Sequence, residues 1–173
     1  MNIKGEHIYL RAIEPADLDF LYQLENDTNI WEISGTVTPY SKAVLEFYLE
    51  NAHRDIYDVK QLRLCICSNQ DKLLGLIDIF DFNPKHKRAG LGLIVLDTKE
   101  RNKGVGGEAI RLCCKYMFGT LDLHQVYANI LEDNSASIHL FEKLGFERVG
   151  IKRDWIFSES KYKNEILYQK IKS

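Results

Sequence analysis

Arg101-Asn102-Lys103-Gly104-Val105-Gly106-Gly107 stands between Ala89 to Leu96, which reads as a strand, and a run from about Val105 to Phe118, which reads as a helix. A strand-to-helix junction exposes unpaired backbone N–H groups at the positive end of a helix dipole. Glycines there let the backbone wrap closely around a phosphate. Arg101 and Lys103 add positive charge, so the junction is a ready anion site. It is not a Walker A loop, because no Lys-Ser or Lys-Thr follows the last glycine, and the GxGxxG spacing of a dinucleotide fingerprint is missing. Read alone, it is equally a tight Gly-rich turn.

The flanking chain narrows that choice. Val105, Ala109, Cys113 and Met117 form one apolar stripe and Ile110, Cys114 and Phe118 its neighbour, with Glu108, Arg111 and Lys115 on the other face. Gln125 to Leu131 reads as a strand. Asn134 caps a further helix that turns Ala136, Leu140, Phe141 and Leu144 inward, and Gly145 ends it. Phe146 to Ile151 and Asn164 to Lys170 read as two last strands. Upstream, Ile8 to Ala12 is a strand. Pro15 opens a helix carrying Leu18, Leu21 and Tyr22, and Ser41 caps a second with Val44, Leu45, Phe47 and Tyr48. Leu62 to Ser68, Leu73 to Phe82 and Ala89 to Leu96 form an antiparallel meander, its second turn being Asn83-Pro84-Lys85-His86-Lys87. A meander followed by strand–helix–strand crossovers predicts an α/β fold: a mixed, mostly antiparallel sheet flanked by helices.

The chain has 173 residues, expected to form a single domain across 1–173, with no repeat or linker. Its 23 basic and 25 acidic residues give a net charge of −2, which offers nucleic acid or an anionic membrane no general attraction. No apolar run approaches the roughly 20 residues of a membrane span, and the polar start lacks a signal-peptide core; a cytoplasmic protein is the expectation. Cys65, Cys67, Cys113 and Cys114 lack zinc-finger or CxxC spacing and read as small buried hydrophobes, so no metal site is expected. Lys85-His86-Lys87-Arg88 reads as a solvated turn, the alternative being a contact with RNA.

Arg101-x-x-Gly104-x-Gly106 resembles the pyrophosphate loop of the GCN5-related N-acetyltransferases (the GNAT family). Asn134-Ser135-Ala136-Ser137-Ile138-His139-Leu140-Phe141-Glu142-Lys143-Leu144-Gly145-Phe146 resembles the family's second signature, an Asn-started helix closed by Lys-x-Gly-Phe. The strand order, with residues 8–12 and the helix ending in Glu25-Asn26-Asp27, resembles the branch of spermidine acetyltransferases and of enzymes that acetylate ribosomal-protein N-termini.

The resemblance implies that acetyl-coenzyme A (acetyl-CoA), a co-substrate, lies where the strand at 89–96 splays from the strand at 125–131 after a bulge. Residues 101–106 (Arg101, Asn102, Lys103, Gly104, Val105 and Gly106) would hold its pyrophosphate. Backbone groups of Leu93, Ile94 and Val95 would pair with the pantetheine arm like an added strand, and a backbone N–H would polarise the thioester carbonyl. Asn134 would bond the pantetheine region, or serve as a plain cap. Phe141 would border the cofactor. Lys143 would approach the adenosine phosphates, or be a solvated helix-end lysine.

Two positions depart from the family pattern. Phe141 stands where a general-acid Tyr is common, and Gly90 where a strand Glu is frequent. Either proximity and the oxyanion contact suffice, or Asp78, Asp81 or Tyr127 serves, with Asp78 and Tyr127 as the catalytic candidates, or the protein binds the cofactor and transfers poorly. Glu25, Asp27, Glu32, Asp78 and Asp81 are candidate anchors for a cationic amine, with Trp31 or Tyr40 as an aromatic wall. Asp78 stands out because it interrupts the apolar run Gly75 to Phe80, and a carboxylate on a buried strand requires a partner. His139 is a surface histidine or a proton shuttle. The expected function is acetyl transfer to a primary amine of a small molecule, including a polyamine. The alternatives are a protein N-terminus as acceptor or a CoA-binding module, and the expected assembly is a homodimer.

Overall fold

The computed structural model describes residues 2–96 and 104–173. Strands β1 (Ile3–Lys4) and β2 (Ile8–Ala12) lead through a 3-10 turn (Pro15–Asp17) into helices α1 (Leu18–Glu25), α2 (Trp31–Ser34), α3 (Lys42–Glu50) and α4 (Ile56–Val59). The meander β3 (Leu62–Ser68), β4 (Leu73–Asn83) and β5 (Arg88–Val95) follows. After it come α5 (Val105–Gly119), β6 (Gln125–Leu131), α6 (Ser135–Lys143), β7 (Glu147–Ser158) and β8 (Lys161–Ile171). The eight strands form one sheet in the order β1-β2-β3-β4-β5-β6-β8-β7. Its pairings are antiparallel except for β5 with β6. The mixed α/β architecture is the one expected.

The apolar run of β3 is continuous because helices cover both of its faces. Leu64 and Ile66 join Ile77, Ile79, Ala109, Ile110, Cys113 and Met117 in one core beneath α5. Cys65, Cys67 and Leu76 join Leu21, Leu24, Leu45 and Leu49 in the other, beneath α1 and α3. All four cysteines are buried free thiols. Burial pushes the Cys65 thiol up to about 12 and that of Cys114 up to about 11, so they act as small hydrophobes.

Several boundaries and one face differ from expectation. The last two strands are longer than Phe146–Ile151 and Asn164–Lys170, forming a long hairpin around Glu159 and Ser160, both at positive φ. Its polar and apolar residues alternate irregularly because the β7–β8 register slips twice. Glu108, placed by periodicity among the exposed residues of α5, is 9% exposed. Its Oε1 accepts from the backbone N–H of Glu6 (2.6 Å), His7 (3.0 Å) and Ile8 (3.4 Å), so the carboxylate ties the β1–β2 turn to the first turn of α5.

Candidate functional site

β5 pairs with β6 only at Arg88, Ala89 and Gly90, opposite Gln125, Val126 and Tyr127. Beyond that point β5 stays on β4, with Leu93 opposite Ile77 and Ile94 opposite Leu76, while β6 stays on β8. The strands therefore part. The register irregularity sits in β4, after Phe80, where Asp81 takes φ 50°. Phe80 faces Gly90 across the ladder. A Cβ on Gly90 would lie 2.3 Å from two carbons of the Phe80 ring. The missing strand carboxylate thus has a steric cause: an aromatic ring occupies its place.

The parting opens a cavity of about 590 Å3. One wall is β5 with β6 and α6: Leu93, Ile94, Ala128 to Leu131, Asn134, Ser137 and Phe141. The other is formed by α1–α3 and the meander, and includes Glu25, Glu32, Tyr40, Tyr48, Arg63 and Asp78. Asn134 lines the cavity and caps α6 at once, its Oδ1 accepting from the Ser137 N–H at 3.1 Å. Phe141 is buried edge-on against Phe146, with ring centroids 4.9 Å apart.

At the foot of the cleft α5 begins. Gly104 occupies its N-cap at φ 83°, a left-handed conformation that suits glycine. A Cβ on Gly106 would meet Leu93 at 3.1 Å and Leu140 at 3.3 Å, so this glycine lets the helix start close against β5 and α6. Val105 is buried below it. Arg101, Asn102 and Lys103 lie outside the described residues.

Asp78 has the partner that its burial required, one that the sequence reading did not name. Arg63 faces it across the β3–β4 register. Its Nε and Nη2 reach the two Asp78 oxygens at 2.7 and 3.0 Å, and its Nη1 reaches Glu25 Oε1 at 2.6 Å. The guanidinium also lies 5.8 Å from the centre of the Tyr48 ring. Burial raises the Tyr48 phenol above its usual value, against the opposing pull of Arg63, so it stays protonated at neutral pH. Arg63 was legible in principle: a charged residue in an apolar strand, mirrored about the turn Asn69–Lys72 by Asp78.

Glu32 lies on the cavity rim 2.6 Å from the ammonium of Lys163, which is also 2.8 Å from Asp133. The hydrogen bond from Lys163 holds the Glu32 carboxyl below its usual range. The structure does not bring the other candidates to the cavity. Tyr127 and Asp81 satisfy each other, the phenol donating to Asp81 Oδ2 at 2.7 Å; Asp81 is exposed at φ 50°, and the Tyr127 ring packs edge-on against Phe80 at 5.7 Å. Asp27 is spent on its own loop, accepting from Asn29 N and Nδ2. Trp31 donates its indole N–H to the Glu25 carbonyl at 2.8 Å. Val95, Lys143 and His139 do not line the cavity, and Lys143 and His139 are exposed at the surface of α6.

Comparison with known proteins settles which fold this cleft belongs to. The profile of the acetyltransferase (GNAT) domain matches residues 7–147. This chain belongs to the GNAT acetyltransferases. It is similar to the spermidine N(1)-acetyltransferase of Vibrio cholerae serotype O1, with 29% identity over 92% of this chain and 90% of the relative. It is also similar to that of Escherichia coli K12, with 28% identity over 92% and 83%. A crystal structure of the Vibrio cholerae spermidine N-acetyltransferase in complex with CoA and spermine superposes with a TM-score of 0.86, at 26% identity over 96% of each chain. The GNAT assignment makes the protein an acyl-CoA-dependent N-acetyltransferase that uses acetyl-CoA.

The residues present fit that co-substrate. Among the described residues no strand pairs with the β6-facing edge of β5 beyond Gly90, and such an edge can accept an extended amide-bearing arm. The N-terminus of α5 starts on a glycine that, among the described residues, has nothing within 4 Å of where a Cβ would stand, and a helix N-terminus suits a pyrophosphate. Among the described residues, no helix is long and apolar enough to cross a membrane.

Proposed function

We propose that this GNAT enzyme acetylates the primary amine of a small molecule held between Arg63 and the parted strands. The observation that carries the proposal is that one cavity has Glu25 and Asp78 on one wall and Asn134 and Phe141 on the other, which puts an ammonium-binding end beside the strand opening. Polyamines are the first acceptors to test, because the Vibrio cholerae and Escherichia coli relatives are named for spermidine.

Acetyl-CoA supplies the thioester, whose C–S bond breaks as the acceptor nitrogen forms the new C–N bond. Everything else falls to the chain. Leu93 turns its backbone groups to the open side of β5, while Ile94 turns its own to β4, and an N–H on the open side would polarise the thioester carbonyl. Gly104, Val105 and Gly106, with Arg101, Asn102 and Lys103 before them, would hold the pyrophosphate; Asn134 would steady the pantetheine arm. Phe141 has no proton to give, and both Asp78 oxygens are bonded to Arg63. The acceptor's ammonium therefore gives one proton to solvent before the nitrogen attacks, a second passes through solvent from the nitrogen to the departing sulfur, and catalysis rests on proximity and carbonyl polarisation. The buried free thiols agree with a cytoplasmic location. A homodimer would cover the apolar outer face of the hairpin, where Ile151, Trp155, Phe157 and Tyr162 are each about half exposed or more.

The test is a product screen. The protein is incubated with acetyl-CoA and a mixture of polyamines, monoamines, aminoglycosides and short peptides, and mass spectrometry looks for the gain of one acetyl group. An acetylated small amine supports the proposal. Acetylation confined to peptide N-termini, or no product at all, contradicts it.

A further inference from the structure

We infer that the acceptor is a primary amine carrying a single positive charge on an apolar body, not a polycation. The inference rests on the proposed acetyltransferase reading of the cleft and narrows its substrate class. Four carboxylates line the described cavity: Glu25, Glu32, Asp78 and Glu165. Each is paired with a cation of the chain itself. Glu25 and Asp78 share Arg63, Glu32 holds Lys163, and Glu165 holds Lys152. A guanidinium never deprotonates at working pH, so the compensation by Arg63 is permanent.

The inner cluster of Glu25, Asp78 and Arg63 has a net charge of −1, which one ammonium balances. Asp78 spends both oxygens on Arg63, whereas Glu25 spends only Oε1. Among the described residues nothing bonds the second Glu25 oxygen, which leaves it to accept from an ammonium. The lining of the same cavity includes the apolar Leu24, Ile30, Val44, Leu45 and Phe80. A second ammonium on the acceptor would meet only the remaining cavity carboxylates, Glu32 and Glu165, which are already held by Lys163 and Lys152. The other carboxylates on Lys163, Asp133 and Glu159, have side chains 50% and 74% exposed and are screened by solvent and salt. A second charge thus gains little there and loses its hydration.

The experiment compares kcat/KM for spermidine with that for phenethylamine and hexylamine at physiological salt, using the whole chain and acetyl-CoA. Losing the hydration of an unpaired charge predicts that at least one monoamine leads spermidine by about tenfold or more. Spermidine equal to or ahead of both monoamines overturns the inference and leaves the acetyltransferase reading standing. Acetylation of neither class overturns both. Arg63→Gln removes the compensating charge from the inner cluster, and the ratio of spermidine to monoamine turnover should then rise about tenfold, falling back as salt is added. Lys163→Gln should raise the same ratio, from the rim, if Arg63→Gln fails to fold. A ratio unchanged in a folded variant overturns the inference.

Discussion

Gly90 and Phe80 show how a residue-scale contact decides what chemistry is available. The ring of Phe80 fills the space that a side chain at position 90 would need, so Gly90→Glu cannot restore a strand carboxylate by itself. Overpacking of this kind costs about 1–3 kcal/mol. Denaturant melts should show that loss in Gly90→Glu and its recovery in Gly90→Glu combined with Phe80→Ala. Phe141 is the complementary case, because it lines the cavity and has a neighbour, Ser137, one turn earlier on α6. Phe141→Tyr is expected to raise kcat on the acid side of the pH–rate profile, where thiolate protonation by a fixed donor replaces solvent transfer. An unchanged profile would show that sulfur protonation does not limit turnover. The sequence exposed Gly90, Phe141 and the lone Asp78, but not the reasons for Gly90 or Asp78. Gly90 is explained by a ring ten residues earlier, and Asp78 by Arg63 on the neighbouring strand. Such partners become visible only once strand register is known.

At the scale of elements, the start of α5 joins two tasks. Gly104 and Gly106 belong to the proposed anion site, while Glu108, one turn on, anchors the β1–β2 turn through three backbone N–H groups. Burial alone would raise the Glu108 carboxyl. The N–H donors of His7, Glu6 and Ile8, with the His7 ring, outweigh it and hold the group below its ordinary 4.5. A folded value below the unfolded one gives a contribution that is complete above the unfolded value and disappears as pH falls through the folded value. Glu108→Gln should cost about 1–3 kcal/mol at neutral pH, from hydrogen bonds to a charged acceptor. Chemical denaturation at neutral pH and at pH well below 4.5 should show the wild type converging on the variant under acid. A constant gap would contradict the assignment. Periodicity misplaced Glu108 because it reports which side of a helix is apolar and says nothing of a neighbouring turn that needs an acceptor. The helices themselves, and the glycine-led junction, were legible because caps, stripes and breakers lie within one segment.

At the scale of the molecule, one sheet carries two cores, and the cleft opens where β5 and β6 cease to pair past Gly90 while each keeps its other neighbour. The meander and the crossovers were readable from strand lengths and turns. The long β7–β8 hairpin was not, because its register slips at Arg148/Gly150 and Lys152/Ile156 break the alternation. That hairpin ends the sheet, and its exposed Trp155 predicts self-association. Sedimentation should give a dimer for the wild type and a monomer for Trp155→Asp; a monomeric wild type would contradict the proposed homodimer.

The central claim is that acetyl-CoA binds where β5 leaves β6, with its pyrophosphate on the glycine-led start of α5. Calorimetric titration with acetyl-CoA tests it most directly, run on the wild type and on Gly104→Asp, which sets a side chain on left-handed backbone and a negative charge at the anion site. The account predicts saturable binding to the wild type and its loss in a variant that remains folded by circular dichroism. No heat from the wild type at millimolar acetyl-CoA, or equal binding by the variant, would contradict it.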